Sequence, residues 1–517
     1  MLNLASVLEF TAKQNPEKTA LIFGKDRLTY EHLSGSVNQI ANGLIKAGIV
    51  KGDKVALSCP NIPYFPMIYF AILKIGAVVV PLNILLKQNE IAYHLKDSEA
   101  RAFFCHQGSP QMPIGEEGKA AFEQVDTCDH LWIIPSGVEE TSSFVEYGTV
   151  DMLMKPESRE CEITSTDADD TAVILYTSGT TGRPKGAELS HLNMTMNAVI
   201  SRELLQLTHD ETILIVLPLF HSFGQTVLMN AGVSMGNTLV ILPRFTPENV
   251  LFAMQEEEVT VFAGVPTMYW QLLNYKDTEG LVDKEKIART LKIGVSGAAS
   301  MPVEIIRKME QEYRIPIIEG YGLSETSPVA TFNHLHKERR PGSVGTPIWG
   351  VDVDIVNEKG LSLSPGEVGE VVIKGHNVMK GYYKKPEATQ KAFKSGGWFH
   401  TGDLGKLDED GYLYIVDRIK DMIIRGGYNV YPREVEEILM THPAVSLAGV
   451  IGVPDDRHGE EIKAFVVLKE GEQAAPEELV AWSKAQMANY KYPRIFEIRK
   501  SLPMTATGKI LKQELRR

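Results

Sequence analysis

The sequence has little cysteine, no excess of positive charge and no long apolar run, and each shortage removes a class of protein. Four cysteines in 517 residues (Cys59, Cys105, Cys128 and Cys161) stand at spacings that match no metal or redox motif. A disulfide scaffold is excluded, and reduced structural thiols in a cytoplasmic protein are expected. Acidic residues outnumber basic ones, 66 against 53, for a formal net charge of −13. Nucleic-acid binding rests on Lys and Arg neutralising phosphates, so no nucleic acid is expected as a partner. A diffuse negative charge does not exclude a small anion held by local donors. No uninterrupted apolar run approaches membrane-spanning length. The first ten residues carry no basic cluster before their apolar positions, and they read as an amphipathic helix rather than a signal peptide. Peripheral contact with a membrane stays open, as does the choice between monomer and homodimer.

What is present is a long alternation. Hydrophobic residues make up 44% and charged residues 23%, the composition of a globular chain, and the length calls for several packed units. Residues 18–23 read as a strand, residues 30–47 as a helix ending before Gly48, residues 54–58 as a strand, residues 63–74 as a helix, and residues 77–82 as a further apolar run. This α/β pattern is expected to continue to about residue 400, giving layered sheets with helices between them. Residues 108–162 are polar and irregular and read as surface excursions. Near residue 420 the character changes. Pro432 opens a helix with Val435, Ile438 and Leu439 on one face, strands are expected at 447–453 and 462–468, a helix at about 476–489 and a strand at 495–499. That is a compact α/β unit of its own.

The strongest local signal is residues 175–186, Leu-Tyr-Thr-Ser-Gly-Thr-Thr-Gly-Arg-Pro-Lys-Gly, entered directly from the strand-like run 171–176. Gly179 and Gly182 let backbone N–H groups approach phosphate oxygens without a Cβ in the way. Thr177, Ser178, Thr180 and Thr181 add hydroxyl donors, and Lys185 adds a mobile positive charge. The loop is not a Walker loop, because Lys185 is followed by Gly186 instead of Ser or Thr.

This segment resembles the signature loop of the adenylate-forming superfamily, which comprises acyl-CoA synthetases, adenylation domains of peptide synthetases and beetle luciferases. Further motifs follow in the family's order: Glu-Gly-Tyr-Gly-Leu-Ser-Glu-Thr at 319–326, Trp-Phe-His-Thr-Gly-Asp-Leu at 398–404, Tyr-Ile-Val-Asp-Arg-Ile-Lys-Asp at 414–421 and Leu-Pro-Met-Thr-Ala-Thr-Gly-Lys-Ile at 502–510. The resemblance implies a large N-terminal domain of several α/β subdomains, residues 1–419, and a small mobile C-terminal α/β domain, residues 420–517. It implies ATP, Mg²⁺ and coenzyme A as cofactors. Thr180 and Glu325 would hold Mg²⁺, a hard ion suited to oxygen ligands. Gly297, Ala298, Glu319, Gly320, Tyr321 and Thr326 would lie against the nucleotide, with Tyr321 stacked on adenine. Asp403 and Arg418 would hold the ribose, and Lys420 would be the hinge. Many relatives have Gly where Asp417 stands, which leaves the local turn geometry undecided.

Lys509 resembles the lysine that bridges the carboxylate and the α-phosphate, and with Lys185, Glu325 and His221 it completes the catalytic set. Gly426 and Gly427 resemble a pair lining the path of the CoA thiol, a plain turn being the competing reading. Phe220, His221, Gly264, Val265, Gly297, Ala298 and Ala299 resemble the walls of the acyl pocket, and the small residues among them would admit a long or bulky acid. The implied reaction joins a carboxylic acid to AMP, with loss of pyrophosphate, and passes the acyl group to CoA. The chain looks most like bacterial medium- or long-chain fatty acid–CoA ligases. The competing readings are an aryl-acid ligase, an enzyme that loads a carrier protein, a luciferase-like enzyme, and a non-catalytic nucleotide or acyl binder.

Overall fold

The amphipathic periods build helices and strands much where the pattern puts them. Helices form at Ser6–Gln14, Tyr30–Lys46 and Tyr64–Lys74, and strands at Thr19–Phe23, Lys54–Ser58 and Val78–Pro81. The structure, a computed structural model, describes residues 2–136, 144, 146–177, 183–299, 301–505 and 508–516.

Two large sheets result. One is nine-stranded among the described residues, with Thr212–Ile215, Val261–Gly264, Ile293–Ser296 and Ile317–Gly322 side by side and parallel. The other is eight-stranded among the described residues, with Lys54–Ser58, Val78–Pro81 and Thr171–Thr177 at its centre. Helix Tyr64–Lys74 is apolar almost all round and buried beyond its first residue, as a helix enclosed by other layers must be. Its residues share one core with Leu21 and Ile213 of the first sheet and Val55, Val79 and Val173 of the second. Parallel strands covered on both faces read as continuous apolar runs, which is how 213–215 and 172–175 appear.

Two expectations change. Residues 108–162 are not mere excursions: they supply helix Ile114–Phe122 and strand His130–Ile134, the latter paired in parallel with Ala100–His106. Four apolar residues, Leu131 to Ile134, suffice for an interior strand. Gly118 brings helix Ile114–Phe122 so close to the neighbouring strand Ala100–His106 that a Cβ there would lie 2.3 Å from Cys105 Sγ. The α/β alternation also stops sooner than residue 400. Strands Val351–Val356, Gly369–Gly375, Phe399–Leu407 and Leu413–Arg418 form a third, wholly antiparallel sheet, and between its second and third strands the chain leaves to pair Gly381–Tyr382 with the eight-stranded sheet.

Beyond an exposed turn at 419–421 the chain starts a second unit with its own core of Ile423, Val430, Val435, Leu439, Val450, Ile462 and Leu479. It packs helices Pro432–Leu439 and Pro476–Gln486 on strands Val445–Asp455, Gly459–Leu468 and Ile495–Ile498. Cys59, Cys105 and Cys128 are buried free thiols and Cys161 is half-buried. No helix among the described residues is long and apolar enough to cross a membrane.

Candidate active site

The site gathers outside the carboxyl ends of the parallel strands, where an open α/β sheet leaves a crevice. Strands Thr171–Thr177 and Lys185–Ser190 pair in antiparallel register, Thr177 opposite Lys185, so the glycine- and hydroxyl-rich residues connect them. Ser178, Gly179, Thr180, Thr181 and Gly182 lie outside the described residues. Their frame is clear. Thr177 Oγ1 and the Tyr382 hydroxyl each donate to Glu325 Oε1 at 3.0 Å, and Lys185 Nζ stands 4.6 Å from the centroid of the Tyr382 ring. Glu325 is buried in the tight turn Ser324–Thr326. Thr326 fixes that turn from within: its hydroxyl is fully buried, donates to Pro328 O and accepts from Leu323 N at 2.9 Å. Both glycines of the motif are required, since a Cβ on Gly320 would lie 2.3 Å from Phe332 and one on Gly322 only 1.8 Å from Pro328 O.

A second cluster forms beside it. The Tyr321 hydroxyl donates to Asp403 Oδ2 at 2.6 Å, and Arg418 Nε lies 3.2 Å from Asp403 Oδ1. Asp403 and Arg418 are register partners on adjacent antiparallel strands, so the sheet itself sets the pair. Burial, and then the Asp403 charge, hold the Tyr321 phenol far above its ordinary pKa, which keeps it a donor.

The third element comes from the second unit. Thr505 N donates to Lys509 O at 2.8 Å and Lys509 N to Thr505 Oγ1 at 3.0 Å, closing a small loop. The loop docks on the large unit through Gly508, whose carbonyl accepts from Thr267 Oγ1 at 3.0 Å. Gly508 has φ +76°, and a Cβ there would lie 2.7 Å from Val265 and 2.8 Å from Thr267 Oγ1, so glycine is needed for both the turn and the approach. Half-buried Lys509 is pushed down to about 8, first by burial and then by the Arg418 charge, with Lys420 adding to the effect and Asp403 and Asp421 opposing it. His221 is pushed down to about 4 by burial and by Lys509. Lys509 is thus within electrostatic reach of Arg418, Asp403 and His221. The histidine is neutral at pH 7. Its Nδ1 accepts from Phe223 N at 3.3 Å, which puts its proton on Nε2.

The acyl-side residues are held by packing. Asn61 grips the approach to Phe220 and His221, its Oδ1 accepting from Leu219 N and its Nδ2 donating to Leu217 O, both at 2.9 Å. Gly264 ends a buried strand and Val265 follows it, also buried. Gly297 faces the Phe223 ring, where a Cβ would lie 2.9 Å from Cε1; Ala298 has φ +65°, and Ala299 is exposed. Glu319 is buried behind this loop, where its Oε1 accepts from Met301 N at 2.9 Å and burial raises its carboxyl to about 7. It buttresses the loop at that point.

Lys420 sits in the exposed turn between the units. Gly426 and Gly427 are not brought to this site. With φ of +56° and +82° they close the hairpin of Ile423–Arg425 and Tyr428–Val430, in solvent. Tyr382, Asn61, Thr267 and Phe223 were not singled out from the sequence. Tyr382 and Asn61 stand in no motif and are brought in by contacts with distant segments, whereas Phe223 and Thr267 lie two residues beyond His221 and Val265. Asp455, His458 and Glu461 approach one another within 4.8 Å, but Arg425 takes both oxygens of Glu461 at 2.7 and 2.8 Å, which makes the group an ion-pair network. Glu325 fits Mg²⁺ better. Both hydroxyl donors fall on its Oε1, and one carboxylate plus substrate phosphates is an ordinary Mg²⁺ set.

Comparison with known proteins identifies the family. The family model described as AMP-binding enzyme matches residues 8–383, and that of the AMP-binding enzyme C-terminal domain matches residues 434–509. A long-chain-fatty-acid–CoA ligase of Bacillus subtilis (strain 168) is 37% identical over 99% of this chain and 94% of its own length. A feruloyl-CoA synthase of an Amycolatopsis species is 38% identical over 98% and 97%. Among solved structures, ATP-bound MatB from Rhodopseudomonas palustris superposes with a TM-score of 0.89 at 31% identity, covering 100% of this chain and 98% of that one.

Proposed function

The chain belongs to the AMP-binding enzyme family and is an AMP-forming acid–CoA ligase using ATP, Mg²⁺ and coenzyme A, and we propose that its acid is a fatty acid. The observation that carries the mechanism is the docking of the Lys509 loop of the second unit on the large unit, where Gly508 O accepts from Thr267 Oγ1 at 3.0 Å and Lys509 comes within electrostatic reach of His221, Asp403 and Arg418. In the first step a carboxylate oxygen of the acid bonds to the α-phosphorus of ATP, the bond to the bridging oxygen breaks, and pyrophosphate leaves. Lys509 spans the carboxylate and the α-phosphate, Lys185 meets the departing charge, and the His221 Nε2–H orients the carboxylate. Thr177 and Tyr382 hold Glu325 for Mg²⁺, which supplies further charge neutralisation when bound. Asp403 and Arg418 fix the ribose beside Tyr321. Catalysis of this kind is mainly positioning and charge neutralisation. In the second step the CoA sulfur bonds to the acyl carbon, the acyl–phosphate bond breaks, AMP leaves and the thiol proton passes to solvent.

The division of labour follows residues 1–419 and 420–517. The small unit turns about Lys420, withdraws Lys509 and brings Gly426 and Gly427 to the CoA path.

The fatty-acid reading is supported by the B. subtilis relative and by the small residues Gly264, Gly297 and Ala298 expected along the pocket. An aryl acid is the second reading, favoured by the Phe223 ring against Gly297 and by the feruloyl-CoA synthase. AMP and pyrophosphate release with acids from acetate to palmitate, plus coumarate and benzoate, each with and without CoA, tests both. A CoA-dependent optimum among the alkanoic acids is expected. An optimum at coumarate would replace the first reading by the second.

A further inference from the structure

One buried carboxylate at the junction of the two units is used by neither half of the site. Asp417 lies near the end of strand Leu413–Arg418, which belongs to the large unit, and is 8% exposed. Its Oδ1 accepts from Arg418 N at 2.8 Å and its Oδ2 from Arg433 N at 2.9 Å. Arg433 is the second residue of helix Pro432–Leu439, the first helix of the small unit. The first N–H groups of a helix have no partner inside it and are met by a side chain just ahead of the helix or by water. Here Pro432 has no N–H, and Tyr431, at the usual capping position, makes no side-chain cap. The cap comes from sixteen residues upstream, across the exposed turn that holds Lys420. The Arg433 guanidinium reaches back over the same boundary to Ile415 O and also pairs with Glu437 at 2.9 Å. Lys512, paired with Glu436 at 2.9 Å, adds a positive charge felt by Asp417.

We propose that Asp417 is a latch: by capping the first helix of the small unit it holds that unit in the orientation that places Lys509 at the acyl site, and it lets go when the unit turns. The inference rests on the two-step ligase reading. Rotation about Lys420 carries helix Pro432–Leu439 away from strand Leu413–Arg418, so the Asp417–Arg433 bond is made in one orientation and broken in the other. The effect of a latch is a bias between two orientations. Losing one helix cap shifts such a balance by about tenfold, which is ~1.4 kcal/mol. Asp417 is a positioning residue, acting through the small unit and through Arg418, without touching substrate.

The test reads orientation and chemistry separately. Lys276 and Glu470 form an exposed ion pair across the two units at 2.5 Å, so spin labels on Lys276→Cys and Glu470→Cys report the orientation. A Cys161→Ser background leaves only buried native thiols. Asp417→Ala should move the label distances from one short population towards a broad, longer one, slow acid-dependent ATP–pyrophosphate exchange about tenfold, and leave thioester formation from supplied acyl-adenylate unimpaired. Asp417→Asn keeps an acceptor for Arg433 N and should restore most of both. Unchanged label distances in Asp417→Ala, or equal loss in both half-reactions, would overturn the proposal. Absence of exchange with every acid in the unaltered protein would sink the ligase reading instead, while the label distances still decide the latch.

Discussion

The proposed nucleotide end and the proposed acyl end of the site are built by opposite means. At the nucleotide end, charged and hydroxyl groups are tied to one another across strand pairs: Thr177 and Tyr382 on Glu325, Tyr321 and Arg418 on Asp403. At the acyl end the charged and titratable groups named among the described residues are Lys509, His221 and, behind the loop, Glu319. There glycines pack on rings, Gly297 against Phe223 and Gly264 against Phe262 and Tyr269. A polar ligand common to a family needs fixed donors and acceptors, because an unpaired buried polar group is costly. A variable apolar ligand needs only volume, which many residue combinations can supply.

That contrast can be broken by mutation. Removing Asp403 should have the largest effect confined to the nucleotide end. Charge-assisted hydrogen bonds contribute ~1.5–3 kcal/mol each, so Asp403→Ala should lower kcat/KM for ATP on the order of 10²-fold, with the order of preference among acids untouched. A changed acid preference would mean the two ends are one cooperative unit. Next is pH. The Lys509 ammonium is held down at about 8 from the ordinary lysine value, so its charge is present below that pH and lost above it. Adenylation, followed as kcat/KM for the acid, should fall about tenfold per pH unit above that point, while acyl transfer from supplied adenylate should not share the limb. A rate that holds to pH 10 would show that Lys509 carries no essential charge.

Phe223→Ala should act on the other end. It opens space opposite Gly297 and should raise kcat/KM for longer acids over shorter ones by about tenfold, the usual scale of discrimination in an apolar pocket. The KM for ATP should stay constant. Tyr382→Phe is expected to be mildest. It removes one of two donors from Glu325 while the Thr177 donor remains, and should raise the Mg²⁺ and ATP requirement a few-fold without altering acid choice.

The same contrast governs what the sequence discloses. The strand-to-loop passage at 171–186, the paired glycines at 320 and 322, and the Asp403 and Arg418 motifs are local strings whose chemistry is readable before folding. The acyl wall is assembled from three separate segments, 220–223, 264–265 and 297–299, and no local string reveals that Phe223 meets Gly297. Asn61 and Tyr382 escape for the same reason, since their partners lie more than fifty residues away. Strand His130–Ile134 was hidden by the polar stretches around four apolar residues. The antiparallel sheet after residue 351 was hidden because a strand pattern alone does not say whether a crossover or a hairpin follows. Asp417 looked like a mere departure from a glycine, and only the position of Arg433 N gives it a role.

The most direct test of the account is Lys509→Ala, with the two half-reactions measured apart. Acid-dependent ATP–pyrophosphate exchange should drop on the order of 10²–10³-fold, as the loss of one transition-state donor does elsewhere. Thioester formation from supplied acyl-adenylate and CoA should proceed at close to its original rate. Equal loss in both steps, or exchange at the original rate, would contradict the placement of Lys509 as the group that the small unit brings to the first step alone.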